Sequence, residues 1–220
     1  MSATQKSQWI LLWLWLPAGV AAIALAWPFD NTVDSALDVT NNPGWHEVAW
    51  WCSKAGEGGW VAAAGLLLTV FFFLLKRPRV TADMLFITLT SAVTGLAADV
   101  VKAVCGRTRP LNHEALQGFY GMWYNGHWII GKSAFGSFPS GHSATAVGVA
   151  AAVWLCHRGW GAVAMVYALA VMWSRIALQY HHLSDVVAST VLSIPLAILL
   201  KRGLAPRIHL AVDGLYRSRR

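Results

Sequence analysis

Six apolar stretches, each near the length needed to cross a bilayer, set the first limit on what this chain can fold into. They run from Trp9 to Trp27, Trp60 to Leu75, Met84 to Cys105, Gly141 to Cys156, Gly161 to Tyr180 and Leu183 to Leu200. A hydrocarbon core about 30 Å thick takes roughly 20 apolar residues per helix, and in lipid only helices and closed barrels satisfy every backbone polar group. The expectation is an all-α polytopic membrane protein, a six-transmembrane-helix bundle with residues 1–220 as a single domain. Composition agrees, since 56% hydrophobic and 12% charged residues with a mean hydropathy of +0.49 exclude an ordinary soluble domain. Lys6 and Ala24-Leu25-Ala26 resemble a cleavable leader, but the long apolar run and Pro28 favour an uncleaved anchor.

The net charge of +7 invites a nucleic-acid reading that its distribution argues against. Threading the six stretches alternately from a cytoplasmic N-terminus places Lys6, Lys76, Arg77, Arg79, Arg158, Lys201, Arg202, Arg207, Arg217, Arg219 and Arg220 inside, eleven of the seventeen basic residues. The positive-inside rule then puts both termini in the cytoplasm of a multi-pass cell-membrane protein, with the basic tail near anionic headgroups and no nucleic-acid partner. Lys54, Lys102, Arg107, Arg109, Lys132 and Arg175 remain outside, and three of them belong to the motifs below.

Between the first two stretches, residues 30–59 are polar enough to leave the bilayer yet carry Trp45, Trp50 and Trp51. Thirteen tryptophans in one small chain predict an interfacial belt, with short helices lying in the headgroup layer. Asp30, Asp34 and Asp38 recur every four residues, which predicts a solvated helix face with Asp30 as N-cap rather than the alternative, a metal site. The longest extramembrane segment, residues 106–139, mixes Phe119, Tyr120, Trp123, Tyr124 and Trp128 with glycines, as suits a loop folded over a lipid-facing site. Of the three cysteines only Cys52 and Cys105 fall at the same face, and free thiols are expected.

Three cationic or imidazole-rich clusters lie at the ends of apolar stretches. Lys102 is near the end of the third, a costly place for an ammonium unless it meets an anion, and Asp99 three residues earlier is a partner on its face. Arg109-Pro110 follows. Pro139-Ser140-Gly141-His142 opens the fourth stretch, where Ser140 suits the N-cap and Gly141 lets an anion approach the exposed N–H groups of a helix start. Ser174-Arg175 ends the fifth stretch, and His181 and Asp185 share a helical face, so the carboxylate can hold one ring nitrogen protonated and leave the other free to attack. His182, three residues from Asp185, competes for that role, and His142 is a second imidazole. Three cations around this group would repel a divalent metal, and arginine forks match phosphoryl oxygens, so the pocket reads as a phosphate site with neither metal nor other cofactor.

Together the clusters resemble the type 2 phosphatidic acid phosphatase superfamily. Its pattern stands here as Lys102-AVCGRT-Arg109-Pro110, Pro139-Ser140-Gly141-His142 and Ser174-Arg175-IALQY-His181-HLS-Asp185, with every position matched between residues 102 and 185. The resemblance implies an integral-membrane lipid phosphatase that works without metal through a phosphohistidine. It implies His181 as nucleophile, Asp185 as its orienting partner and His142 as the acid for the departing oxygen, with Lys102, Arg109, Arg175, Ser140 and Gly141 binding phosphate. It also implies an active site at the extracytoplasmic face and a membrane lipid phosphate as substrate, of the undecaprenyl diphosphate, phosphatidylglycerol phosphate, phosphatidic acid or lipid A type. Compactness and the aromatic outer loop suggest a bacterial envelope enzyme. A phosphotransferase would share this pocket, whereas an anion transporter would need its cations but not His181 with Asp185. No oligomeric state is specified by the pattern.

Overall fold

A computed structural model describes residues 3–112 and 116–218, with side chains from Leu14 onward. The side chains of Lys6 and Trp9 and the tail arginines Arg219 and Arg220 lie outside what is described. Helix α1 (Ala3–Ala26) passes through a 3-10 turn (Trp27–Phe29) into α2 (Asp30–Leu37) and then α3 (Pro43–Ala55). Next come α4 (Gly58–Leu74), α5 (Pro78–Cys105), α6 (Gly141–Cys156), α7 (Arg158–Ala177), α8 (Leu183–Gly203) and α9 (Ala205–Arg217). Helix α6 has the predicted limits because Ser140 caps it, accepting from the Ser143 N–H at 3.4 Å. Helix α5 starts six residues before the predicted Met84, since Pro78 seeds its first turn and Thr81 to Asp83 continue it without being apolar.

The packing is that of a membrane protein. Among the described residues α5, α7 and α8 are long and apolar enough to cross a bilayer, α3 and α4 pass together as a pair bent by 55°, and α6 is a shorter apolar helix of 16 residues. Large apolar side chains point outward, among them Leu67, Phe71, Leu96, Val100, Val166 and Leu169, while the interior is small and weakly polar. A Cβ on Gly148 would come within 2.1 Å of Thr94 Oγ1, and one on Gly95 within 2.6 Å of Thr145 Oγ1, so α5 and α6 approach closely through small residues. Ser189 and Ser193 of α8 donate to the Ser140 and Ala144 carbonyls of α6 at 2.8 and 3.1 Å. This tight α5–α6–α8 core holds three motif-bearing helix ends at one end of the bundle.

Two features were not anticipated. The stretch 123–128 forms a two-stranded hairpin, β1 (Trp123–Tyr124) against β2 (His127–Trp128), turned by Asn125 and Gly126 at φ 48° and 79°. The basic tail forms helix α9, whose Ala205, Ile208 and Val212 bury against Ala82 and Phe86 of α5. The loop containing the hairpin is pinned where α5 ends: Gly106 is left-handed at φ +57°, and a Cβ there would lie 1.8 Å from the Gly121 carbonyl oxygen. Gly106→Ala combines a strained backbone with a backbone clash. Thermal unfolding in detergent should show a loss of about 2 to 4 kcal/mol.

Candidate active site

The first and second clusters meet at Gly141. Lys102, in the last turn of α5, pairs with Asp99 at 2.8 Å as its spacing predicted, and a Cβ on Gly141 would lie 3.2 Å from Lys102 Nζ and 3.1 Å from Asp99 Oδ1. A side chain there would press on both charged groups. The first and third clusters meet at Tyr180, whose ring lies 5.5 Å from the Arg109 guanidinium and 4.5 Å from that of Arg175. The Arg109 N–H donates to the Ala134 carbonyl at 3.0 Å, and Arg175 donates to Ser53. Both arginines keep a buried Nε with no partner among the described residues, a donor pair that an oxyanion would complete. Burial draws the Arg109 guanidinium below its ordinary value, against the opposing pull of Tyr180 and Asp185. His142, in the first turn of α6, interacts electrostatically with Arg175, His181, Lys102 and Arg109, so the second cluster reaches the third.

His181 sits in the turn between α7 and α8, with almost no exposure. Its Nδ1 lies 2.7 Å from the Ser137 carbonyl, and Asp185 Oδ2 stands 3.8 Å away. Spacing assigned the orienting bond to Asp185. The structure puts the Ser137 carbonyl in that place, with Asp185 one bond behind through the Ser137 hydroxyl at 2.6 Å. The difference arises because Asp185 already closes a capping box, accepting the His182 N–H at 2.8 Å. With Nδ1 donating to a carbonyl, Nε2 is the ring atom left with a free lone pair. Burial, reinforced by Arg175 and Arg109 and opposed by Asp185, lowers the His181 pKa to about 3. His182 is spent on structure: Nδ1 meets Asp34 at 2.6 Å and Nε2 faces the Thr108 carbonyl at 3.3 Å.

The aspartate row is where the sequence reading needs correction. Asp30 is not an N-cap but the first residue of α2, with Phe29 before it, and both Asp30 and Asp34 are buried rather than solvated. Asp30 accepts from Arg107 Nη2 at 2.7 Å and from the Ser184 N–H at 2.8 Å, while Arg107 Nη1 bridges to Asp185. Burial pushes the Asp34 carboxyl up, against the pull of His182. Asp38 stays exposed, capping Thr40. Arg107 is therefore no loose outer charge; its guanidinium lies 4.1 Å from the Trp27 ring and 5.3 Å from that of Phe119. Four-residue spacing did put Asp30 and Asp34 on one face, but their partners lie too far along the chain to be read locally. The three cysteines are free.

An apolar cavity of about 520 Å³ runs beside this site between α1 and α8, lined by Trp15, Ile23, Val101, Phe138, Val191 and Pro195, and it reaches Pro139. The charged pocket thus adjoins space suited to hydrocarbon.

Two named relatives are 30% identical to this chain over 148 residues: the lipid A 1-phosphatases of Rhizobium johnstonii and Rhizobium etli. Each match takes in 60% of this chain, and spans 57% and 60% of those relatives' length. Among solved structures, the transmembrane PAP2 type phosphatidylglycerolphosphate phosphatase from Bacillus subtilis is similar in fold, with TM-score 0.61 and 23% identity over 88% of this chain and 94% of that one. Aquifex aeolicus LpxE follows, with TM-score 0.53 and 20% identity over 79% and 95%. Residues 83–208 match the PAP2 superfamily, and with more than half of its length so matched and all three motifs gathered at one end of the bundle, the chain belongs to that superfamily.

Proposed function

We propose that this protein is a metal-independent lipid phosphatase acting through a phosphohistidine. What supports the reading is the proximity of the three clusters: Lys102 borders Gly141, the Tyr180 ring lies near both Arg109 and Arg175, and His142 is within electrostatic reach of Arg175, His181, Lys102 and Arg109. Neutral His181 attacks phosphorus through Nε2; an N–P bond forms as the P–O bond to the lipid breaks, and protonated His142 gives its proton to the departing oxygen. The bound phosphate's own negative charge favours that protonated ring. Lys102, Arg109, Arg175, Ser140 and the Gly141 N–H hold the phosphoryl oxygens, since this transfer asks mainly for positioning and charge stabilisation. Water activated by the now neutral His142 then cleaves the N–P bond and releases phosphate.

In this reading α1, α4, α5, α6, α7 and α8 are six spans of one domain, and α2 and α3 lie in the interface. Both termini are cytoplasmic, and the site opens at the extracytoplasmic face of the cell membrane. The basic turns and tail at the opposite end of the bundle support that orientation. A lipid keeps its chains in the bilayer, along the α1–α8 cavity, and presents its phosphate at headgroup depth. The names of the Rhizobium relatives favour a lipid A type phosphate over the phosphatidylglycerol phosphate, phosphatidic acid and undecaprenyl diphosphate alternatives.

Phosphate release from a panel of these lipids by the purified protein tests the reading. Activity should persist in excess EDTA and fall with vanadate; loss in EDTA restored by magnesium would overturn it. The pH profile offers a second check. Because the His181 pKa is lowered to about 3 from 6.5, the ring stays neutral as pH falls through the ordinary imidazole range. The acid limb of kcat/KM due to His181 should therefore appear well below pH 6.

A further inference from the structure

Two buried carboxylates, one from the catalytic segment and one from an element that precedes the family match, share a single guanidinium. Arg107 gives one Nη to Asp185 and the other to Asp30, the latter at 2.7 Å, while Trp27 and Phe119 hold its plane. Asp30 is also bound by the Ser184 hydroxyl at 2.7 Å and the Ser184 N–H at 2.8 Å, directly beside Asp185 in the first turn of α8. Asp185 in turn holds Ser137, whose carbonyl fixes His181 Nδ1. A chain of charge-assisted bonds thus runs from α2 to the nucleophile. Its members are buried, where such bonds are strong and mutually dependent.

We propose that Asp30 is a positioning residue for phosphoryl transfer, acting through Arg107 on Asp185 and thereby on the His181 ring. Its negative charge draws part of the Arg107 charge away from Asp185. Asp185 then keeps the field that steadies His181 as the ring becomes cationic on binding phosphorus. Without Asp30, Arg107 collapses wholly onto Asp185, damps that field and draws the carboxylate away from Ser137. The phosphate-holding cations Lys102, Arg109 and Arg175 do not touch Asp30, so the effect falls on the chemical step rather than on substrate capture.

The inference rests on the phosphatase reading, and the test separates the two. Asp30→Asn keeps the shape and an acceptor for the Ser184 N–H while removing the charge. It should lower kcat by roughly 10- to 100-fold with KM unchanged, the scale seen when outer partners of a catalytic group are lost. In an Asp185→Asn background the same change should have no further effect, because its route is already cut. Arg107→Lys, whose single ammonium cannot fork between two carboxylates, should show the same kcat loss at held KM and serves where Asp30→Asn does not fold. Unchanged kcat in the folded variant, a rise in KM instead, or full additivity with Asp185→Asn overturns the inference. No phosphate release by the wild type overturns the phosphatase reading, and the inference with it.

Discussion

If His181 is the nucleophile proposed above, His181→Ala should leave a folded protein whose phosphate release is lowered by about 10⁴-fold or more, the scale of losing such a group from an intact pocket. Among the described residues its ring meets the Ser137 carbonyl at 2.7 Å and approaches Asp185 at 3.8 Å, so the fold loses little. The neighbouring histidine should behave oppositely. His182→Ala strips Asp34 of its 2.6 Å partner and α8 of its N-cap, so it should lower the unfolding midpoint while any folded fraction keeps measurable turnover. Trapping of labelled phosphate in an alkali-stable, acid-labile form after an alkaline detergent quench, by the wild type but not by His181→Ala, would locate the covalent adduct. Near-normal turnover in His181→Ala would remove the mechanism.

Arg107→Ala should be the most damaging single change to stability. It leaves Asp30 and Asp185 facing each other in the interior without their shared cation. Breaking a buried ion pair from one side typically costs about 3 to 5 kcal/mol, a large part of the roughly 5 to 15 kcal/mol that holds a domain folded. Unfolding in detergent should show the drop. Neutralising all three members, as Asp30→Asn, Arg107→Met and Asp185→Asn together, should recover much of it, because no charge is then left stranded.

The contrast between these two residues shows what local pattern can and cannot reveal. The nearness of His181 and Asp185 was legible because they stand four residues apart, although His181 lies in the turn before α8 and not on a face of that helix, and helix α6 was legible to the residue because Ser140 and Gly141 mark its start. The apolar stretches were equally plain, although hydropathy lost the first turns of α5, where Thr81 and Asp83 are helical without being oily. Arg107 and Asp30 were invisible as partners because they stand 77 positions apart, and Asp30 and Ser184 are 154 apart. Arg175 and Ser53 are separated by 122. Spacing found the right neighbours but not the full set, since Asp185 stands 3.8 Å from the His181 ring and also accepts the His182 N–H, while the Ser137 carbonyl makes the shorter contact with that ring.

Helix α2 also limits how this molecule can be taken apart. A shortened chain beginning at residue 83, where the family match starts, would at one stroke deprive Arg107 and Ser184 of Asp30, His182 of Asp34 and Arg175 of Ser53. Every signature residue would still be encoded, yet the turn carrying His181 would lose the scaffold that stiffens it. Anyone grafting these motif residues onto another helical bundle must bring the amino-terminal third along with them.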